Sequence, residues 1–414
     1  MRSDAPPATH ASRADAAPRT DPLAVDCGAH TAAAEALADA LGASAVERDR
    51  RGGSALAERQ LVRASGLLTL AVPKRFGGAG ASWPVIYRVV RRLAAADSSL
   101  AHVYGFQHLQ VATILLYASA RQQEHLLGET VRNNWFWGNA TNPLDRQIEL
   151  RRQGEHYVLD GVKTFCSGSI DADMLNVSAP MAGAAPEQRF VVAIPGTRQG
   201  VHPNADWDAL GQRQTDSGSV RFDRVAVHGD EILGPPGVGG SPRATLRPLV
   251  SQLVLTEIYV GNALGALAAA AEYVRTQARP WFAADVERAV DDPFVQLRFG
   301  ALWSRYQAAA VLTDTAAHRL QHAWDLGDAI GARERGETAV AVAAARVFAA
   351  DAALEITSQV FDNLGARATD ARHGFDRYWR NVRTHSLHDP LDYKRRDIGR
   401  WLAGGELPAA SLYT

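Results

Sequence analysis

The hydrophobic period of this chain changes twice along its length, and that change limits the folds open to it. From about Ala32 to Trp135 apolar residues recur at three- and four-residue spacing, as in Leu56 through Leu68, Ile86 through Leu93 and Leu109 through Leu116. That spacing predicts amphipathic helices. The Gly-rich break Phe76-Gly77-Gly78-Ala79-Gly80 predicts a tight turn among them. From about Phe136 to Leu233 the pattern becomes that of short strands. Phe190 through Ile194 and Ser219 through Val227 read as strands, and Asp160-Gly161 reads as a hairpin turn between two short runs. After about Ala244 the helical period returns in three Ala-rich stretches, Leu249 to Arg279, Pro293 to Ala323 and Thr338 to Leu364. Each is long enough to span a helical bundle.

Helices, then strands, then a bundle predict an α+β fold that is mostly α. We expect a tail over 1–25, an N-terminal helical domain over 26–135, a central small β-barrel or sandwich over 136–235, and a C-terminal four-helix bundle over 236–414. The tail is rich in Ala, Pro, Ser, Thr and Asp, a composition that favours disorder. A net charge of -1 gives no electrostatic argument for nucleic acid or an anionic membrane. The two cysteines, Cys27 and Cys166, offer no disulfide framework. No apolar run approaches a bilayer-spanning length and no signal-peptide core precedes the helices, so a cytoplasmic protein is expected.

Chemistry concentrates in Arg380-Asn381-Val382-Arg383-Thr384-His385-Ser386-Leu387-His388-Asp389-Pro390. Asp389 before Pro390 reads as a helix N-cap with proline at the first helical position. That leaves His385 and His388 at a junction, where an imidazole can face a cleft and handle protons near neutrality. The plainer alternative is a pair of surface histidines. A metal site is not expected, because neither an H-E-x-x-H pattern nor a further cysteine ligand accompanies them.

The order of regions resembles the acyl-CoA dehydrogenase fold, and several motifs agree with it. Pro73-Lys74-Arg75-Phe76-Gly77-Gly78-Ala79-Gly80, Gly154 through Lys163, and Arg298-Phe299-Gly300 followed by Gln307 are similar to family signatures. The departures are informative too. Asn139-Ala140-Thr141-Asn142-Pro143 stands where fatty acyl-CoA dehydrogenases carry T-E-P, and Phe165-Cys166-Ser167-Gly168 stands where they carry W-I-T-N. His388-Asp389-Pro390 replaces the segment that holds many members' catalytic glutamate. These segments, with Gly211-Gln212-Arg213-Gln214-Thr215-Asp216-Ser217-Gly218, resemble the two-component flavin-dependent monooxygenases (group D) similar to dibenzothiophene monooxygenase.

That resemblance implies reduced FMN, supplied by a separate NAD(P)H-dependent flavin reductase, reacting with O2 through a C4a-hydroperoxyflavin that must be kept dry. FAD is the alternative cofactor. The oxygenated substrate would be a small organosulfur, amine or aromatic compound. By resemblance Ser167 stands near flavin N5, His388 handles the peroxide proton with His385 beside it, and Asn139 bonds flavin or substrate. Arg298, Arg367 and Thr369 are the candidates for the phosphate, in a homotetramer whose neighbouring subunits complete each site. Tyr104, His108 and Trp137 are expected to line the substrate cavity. Two other readings are an acyl-thioester dehydrogenase with Asp389 as base and a non-catalytic scaffold.

Overall fold

The computed structural model describes residues 21–145, 147–183, 189–234, 240–411 and 413–414. Most of the expected tail lies outside the described residues. Its last part, 21–25, does not behave as a tail, because Val25 is buried and Leu23 packs on the core.

Six helices open the chain: α1 (Thr31–Gly42), α2 (Ala45–Arg51), α3 (Leu56–Ala64), α4 (Trp83–Ala96), α5 (Ser98–Tyr117) and α6 (Ala120–Asn133). Asp97 caps α5 by accepting a 3.0 Å bond from the Leu100 amide, and Ser119 with Gln122 forms a capping box on α6. Helix α5 is buried on nearly every side, so it is a central strut rather than a surface helix.

Seven strands follow: β1 (Trp137–Ala140), β2 (Ile148–Gln153), β3 (His156–Lys163), β4 (Met174–Pro180), β5 (Arg189–Pro195), β6 (Val201–Pro203) and β7 (Val220–Val227). They form a three-stranded sheet, β1-β4-β5, and a four-stranded sheet, β2-β3-β7-β6. Leu150, Leu159, Val177, Val192, Ile194 and Phe222 fill the space between the sheets, which makes a small sandwich. Asp160-Gly161 is not the expected hairpin turn. β3 runs straight through it, and the reversal from β2 falls at Gly154-Glu155. The pair marks a bulge instead, where the β3–β7 register shifts between Leu159 and Gly161. Gly161 has φ +129, and a Cβ there would lie 2.0 Å from the Gln147 carbonyl oxygen.

The chain ends in α7 (Leu246–Thr276), α8 (Pro293–Asp325), α9 (Ala332–Gln359), α10 (Phe361–Leu364), α11 (Asp376–Ser386) and α12 (Leu391–Gly404). α7, α8 and α9 pack on one another, α11 lies on α7 and α9, and α12 lies on α9. α4 and α5 dock on α7, so one core joins the first helices to the bundle. By length and hydropathy α7 does reach what a membrane span needs, contrary to expectation, but 89% of its most apolar window is buried inside the protein. An all-round apolar helix at the centre of a bundle is a core helix. The architecture is α+β and mostly α.

Candidate active site

One cavity of about 370 Å³ lies where the first helices, the sandwich and the bundle meet. Helix α5 presents His102, Phe106 and Leu109 to it, a stripe at i, i+4 and i+7. β1 and the loop after it add Asn139, Thr141 and Leu144. The loops beyond β3 and before β7 add Phe165, Ser167, Trp207, Gln212, Thr215 and Ser217. The first turns of α7 bring Arg247, Ser251 and Gln252, the end of α11 brings Thr384, His385 and His388, and Tyr413 closes one side. Ser167, Asn139, His385 and His388, far apart in sequence, therefore share one chamber.

The loops are held under backbone strain. Phe165, Gln212 and Asp216 all have positive φ, at 54°, 56° and 46°, and such residues cost energy that the surrounding contacts must offset. Those contacts are visible. Asp216 is ion-paired with the fully buried Arg59 and accepts a 2.6 Å bond from Ser54. The Gln212 amide donates to Asn381 at 2.7 Å. Gly211 lies so close to α11 that a Cβ would sit 2.3 Å from the Arg380 carbonyl carbon.

Ser167 belongs to a buried chain of hydroxyls. Its Oγ lies 2.7 Å from Ser217 Oγ, which lies 2.7 Å from Thr215 Oγ1. On the other side Ser167 Oγ meets His102 Nε2 at 2.9 Å. Burial, with His388 a smaller contributor, pushes the His102 pKa down to about 3, so its imidazole is neutral at working pH. His385 is buried beside it, with ring centroids 4.8 Å apart. Burial first, then the facing imidazoles and Arg346, drive its pKa well down as well. His388 stands at the exposed rim, with Nδ1 3.2 Å from Asp389 Oδ1 and its ring 5.7 Å from that of Tyr413.

Asp389 is not the expected N-cap. α12 starts at Leu391 with Pro390 in the cap position, and no side chain caps it. The Asp389 carboxylate turns inward to the fully buried Arg346, with Lys394 Nζ at 3.4 Å and Gln252 Nε2 at 3.4 Å. Charge pairing in a dry site outweighs a single backbone amide. Burial alone would raise its pKa, but the His388 bond and the Arg346 and Lys394 charges hold it well below the usual carboxylate range. It does not line the cavity, which removes it as a base for an acyl thioester.

Asn139 Oδ1 accepts from Gln110 Nε2 at 3.1 Å and Thr141 Oγ1 at 2.6 Å, and Asn176 Nδ2 donates to Gln110 Oε1 at 3.0 Å. This amide ladder fixes the Asn139 side chain at the cavity wall. Three expected substrate residues are elsewhere. Tyr104 is two positions from His102, about 200° round the helix, and its hydroxyl reaches the Leu67 carbonyl at 3.3 Å. His108 does share the face of Tyr104, in edge contact at 4.6 Å, but that face points into the core. Trp137 is buried toward α6, with Nε1 donating to Thr130 Oγ1 at 2.9 Å. Arg298, Arg367 and Thr369 lie on the exposed end of the bundle around α10 and do not line the cavity.

His108 yields a prediction of its own. Neither ring nitrogen has a partner among the described residues, and burial lowers its pKa from 6.5 to about 3. His108→Leu is expected to stabilise the fold by about 1–3 kcal/mol, the cost of burying unsatisfied polar groups. Because the unfolded chain takes up a proton that the folded His108 refuses, stability falls as pH drops from 6.5 towards 3. Urea titrations at pH 7 and pH 5 should show a smaller loss in His108→Leu than in wild type. Equal losses would mean that His108 finds a partner in solution.

Residue types alone pointed to neither His102, Gln252, Arg247 nor Arg346. His102 was readable in principle, since it begins the i, i+4, i+7 stripe that continues with Phe106 and Leu109.

Comparison with known proteins gives the same architecture. Acyl-CoA dehydrogenase N-terminal, middle and C-terminal domains match residues 29–134, 139–225 and 253–393. The chain is 45% identical to a dibenzothiophene monooxygenase of Rhodococcus erythropolis, over 97% of this chain and 98% of that one. It is similar in structure to the methanesulfinate monooxygenase MsuC of Pseudomonas fluorescens, with TM-score 0.89 and 42% identity over 92% of this chain and 99% of the other. It is equally similar to TdsC of Paenibacillus sp. A11-2 in complex with FMN and indole, with TM-score 0.89 and 39% identity over 94% of this chain and all (100%) of the other.

Proposed function

The chain belongs to the acyl-CoA dehydrogenase family, among its flavin-dependent monooxygenases, and from that membership we propose that its cavity oxygenates a small organosulfur compound. It is an FMN-dependent monooxygenase. Reduced FMN supplies the electron pair with which one atom of O2 enters the substrate and the other leaves as water. The observation that carries the site assignment is the meeting of Ser167, Asn139, His102, His385 and His388 around one chamber.

The wall suits a flavin ring. His102 Nδ1, His385 Nδ1, Gln212 Oε1 and Gln252 Oε1 are buried with no partner among the described residues. Buried polar groups left unpaired are costly, so a ligand with ring N–H and carbonyl groups on its edge offsets that cost. Phe165 and Trp207 offer flat apolar surface beside them, with ring centroids 6.1 Å apart. Ser167 Oγ, able to donate and accept and held by Ser217 and His102, would bond the cofactor's polar ring atoms. Asn139, fixed by Gln110, would bond them as well. His388 moves the proton at the rim, oriented through Nδ1 by Asp389. Phe106, Leu109 and Tyr413 exclude water.

The phosphate grip is a matter of assembly. Arg298 and Arg367 flank α10 on the surface; Phe294 (65%) and Leu297 (70%) are exposed on the same helix as Arg298, and Trp281 (68%) and Phe282 (87%) are exposed in the segment before that helix. Exposed apolar side chains of this size suit a covered interface. In the homotetramer these residues are covered, and the arginines reach the cofactor phosphate of a neighbouring copy. The enzyme works in the cytoplasm with a flavin reductase that supplies reduced FMN. Phe282→Asp should lower the mass in light scattering, and Arg367→Ala should weaken FMN binding about 10- to 100-fold while riboflavin, which lacks the phosphate, is unaffected. A tetramer of Arg367→Ala with unchanged FMN affinity would remove this arginine from the phosphate.

The function itself is tested by mixing the protein and photoreduced FMN with oxygenated buffer and dibenzothiophene or an alkyl sulfinate. Oxygenated product with little hydrogen peroxide supports the reading. Stoichiometric peroxide with every organosulfur substrate tried, and activity with an acyl thioester instead, would overturn it.

A further inference from the structure

The cation in the cavity wall has no counter-ion among the described residues. Arg247, on the first turn of α7, donates from Nε to Thr113 Oγ1 at 2.7 Å and from Nη2 to Thr141 Oγ1 at 2.9 Å. Both partners are neutral hydroxyls. Among the described residues no carboxylate lies within ion-pair distance of it, and Nη1 has no acceptor. Two fully buried arginines nearby are neutralised by carboxylates, Arg59 by Asp216 and Arg346 by Asp389. A guanidinium keeps its proton at any physiological pH, so a half-buried, unpaired one is costly unless a ligand supplies the charge. Its two hydroxyl bonds fix the plane of the group and leave the outer N–H pair free for a bidentate oxyanion.

Position decides what that oxyanion belongs to. On α5 the residues facing this side are His102, Phe106, Leu109 and Thr113 in succession. Ser167 bonds His102 at one end of that stripe, and Arg247 bonds Thr113 at the other. Phe106 and Leu109 form the apolar stretch between them. We propose that Arg247 anchors an acidic head group on the substrate, so that the enzyme takes organic acids whose oxidisable atom sits at the opposite end of a short apolar body. This rests on the reading of the cavity as an oxygenation site. The cofactor phosphate is the other possible oxyanion, and the test separates the two.

Calorimetry would compare 3-(phenylthio)propanoate with its primary amide, two thioethers of nearly the same shape that differ in charge. In wild type the acid should bind more tightly. Arg247→Gln should weaken the acid about 10- to 100-fold, the size expected for a charged hydrogen-bonded pair, and leave the amide within about twofold. Arg247→Lys, which keeps charge but loses the fork, should fall between. Thermal melts establish that both variants fold. Equal losses for acid and amide, or no preference for the acid in wild type, would overturn the proposal. So would a fall in reduced-FMN affinity without a fall for reduced riboflavin, which would assign Arg247 to the phosphate. Failure of wild type to bind reduced flavin at all would instead strike the oxygenase reading.

Discussion

Arg346→Ala is expected to destabilise the protein by about 3 kcal/mol, towards the lower end of what breaking a buried ion pair costs. Arg346 is fully buried, its guanidinium lies 5.6 Å from the Tyr259 ring centroid, and its chief partner is the buried carboxylate of Asp389. Removing it strands that carboxylate, but Lys394 Nζ at 3.4 Å keeps part of the compensation, hence the lower end. The pH dependence carries the signature. Asp389 has a depressed pKa in the fold, so its contribution is present above the unfolded carboxylate value and is lost as pH falls towards the folded one. Without Arg346 the folded pKa rises and that acid-range slope shrinks. Urea titrations at pH 7 and pH 3 measure both effects. A loss below about 1 kcal/mol at pH 7 with an unchanged slope would mean that the pair is not the core of this cluster.

The same cluster explains where sequence reading succeeded and where it did not. That Ser167, Asn139, His385 and His388 come together in one cavity was legible because each sits in a short segment that departs from the dehydrogenase pattern in the same direction. Asp389 was read by its neighbour, Pro390, and that local logic lost to a long-range one, since Arg346 lies forty-three positions away on α9. Tyr104 and His108 were correctly seen as one helical face. Which face of an all-buried helix meets a cavity is set by packing against β1 and α7, and periodicity carries no signal for that. Asp160-Gly161 has the composition of a turn, yet a bulge asks for the same residues. The fold was easier, because its evidence is spread over long periodic segments. Gln252 and Arg247 lie in the first turns of a nearly uniform apolar helix, where no motif marks them.

His388→Ala is expected to leave flavin binding intact and to divert the electrons of reduced FMN from product to hydrogen peroxide. Three imidazoles face the cavity, and burial keeps two of them, His102 and His385, neutral. A neutral buried imidazole can orient Ser167, as His102 does at 2.9 Å, but it is poorly placed to exchange a proton with solvent. His388 alone of the three is open at the rim, and its Nδ1 rests on a carboxylate that accepts but cannot donate. Asp389 therefore fixes the tautomer, with the proton on Nδ1, and leaves Nε2 as the nitrogen that accepts a proton. Loss of a positioned proton carrier typically costs about 10²–10⁴-fold, so product per reduced flavin should fall by at least about a hundredfold while flavin oxidation continues. Asp389→Asn offers the finer test. Its amide can present a donor to Nδ1 and favour the other tautomer, so coupling should drop although His388 remains. Ser167→Ala should weaken flavin binding as well as coupling if, as proposed, its hydroxyl chain bonds the cofactor. Peroxide yield measured against substrate oxidised separates these cases. Coupling in His388→Ala equal to that of wild type would exclude the rim imidazole from proton transfer and leave the Ser167–His102 pair to account for it.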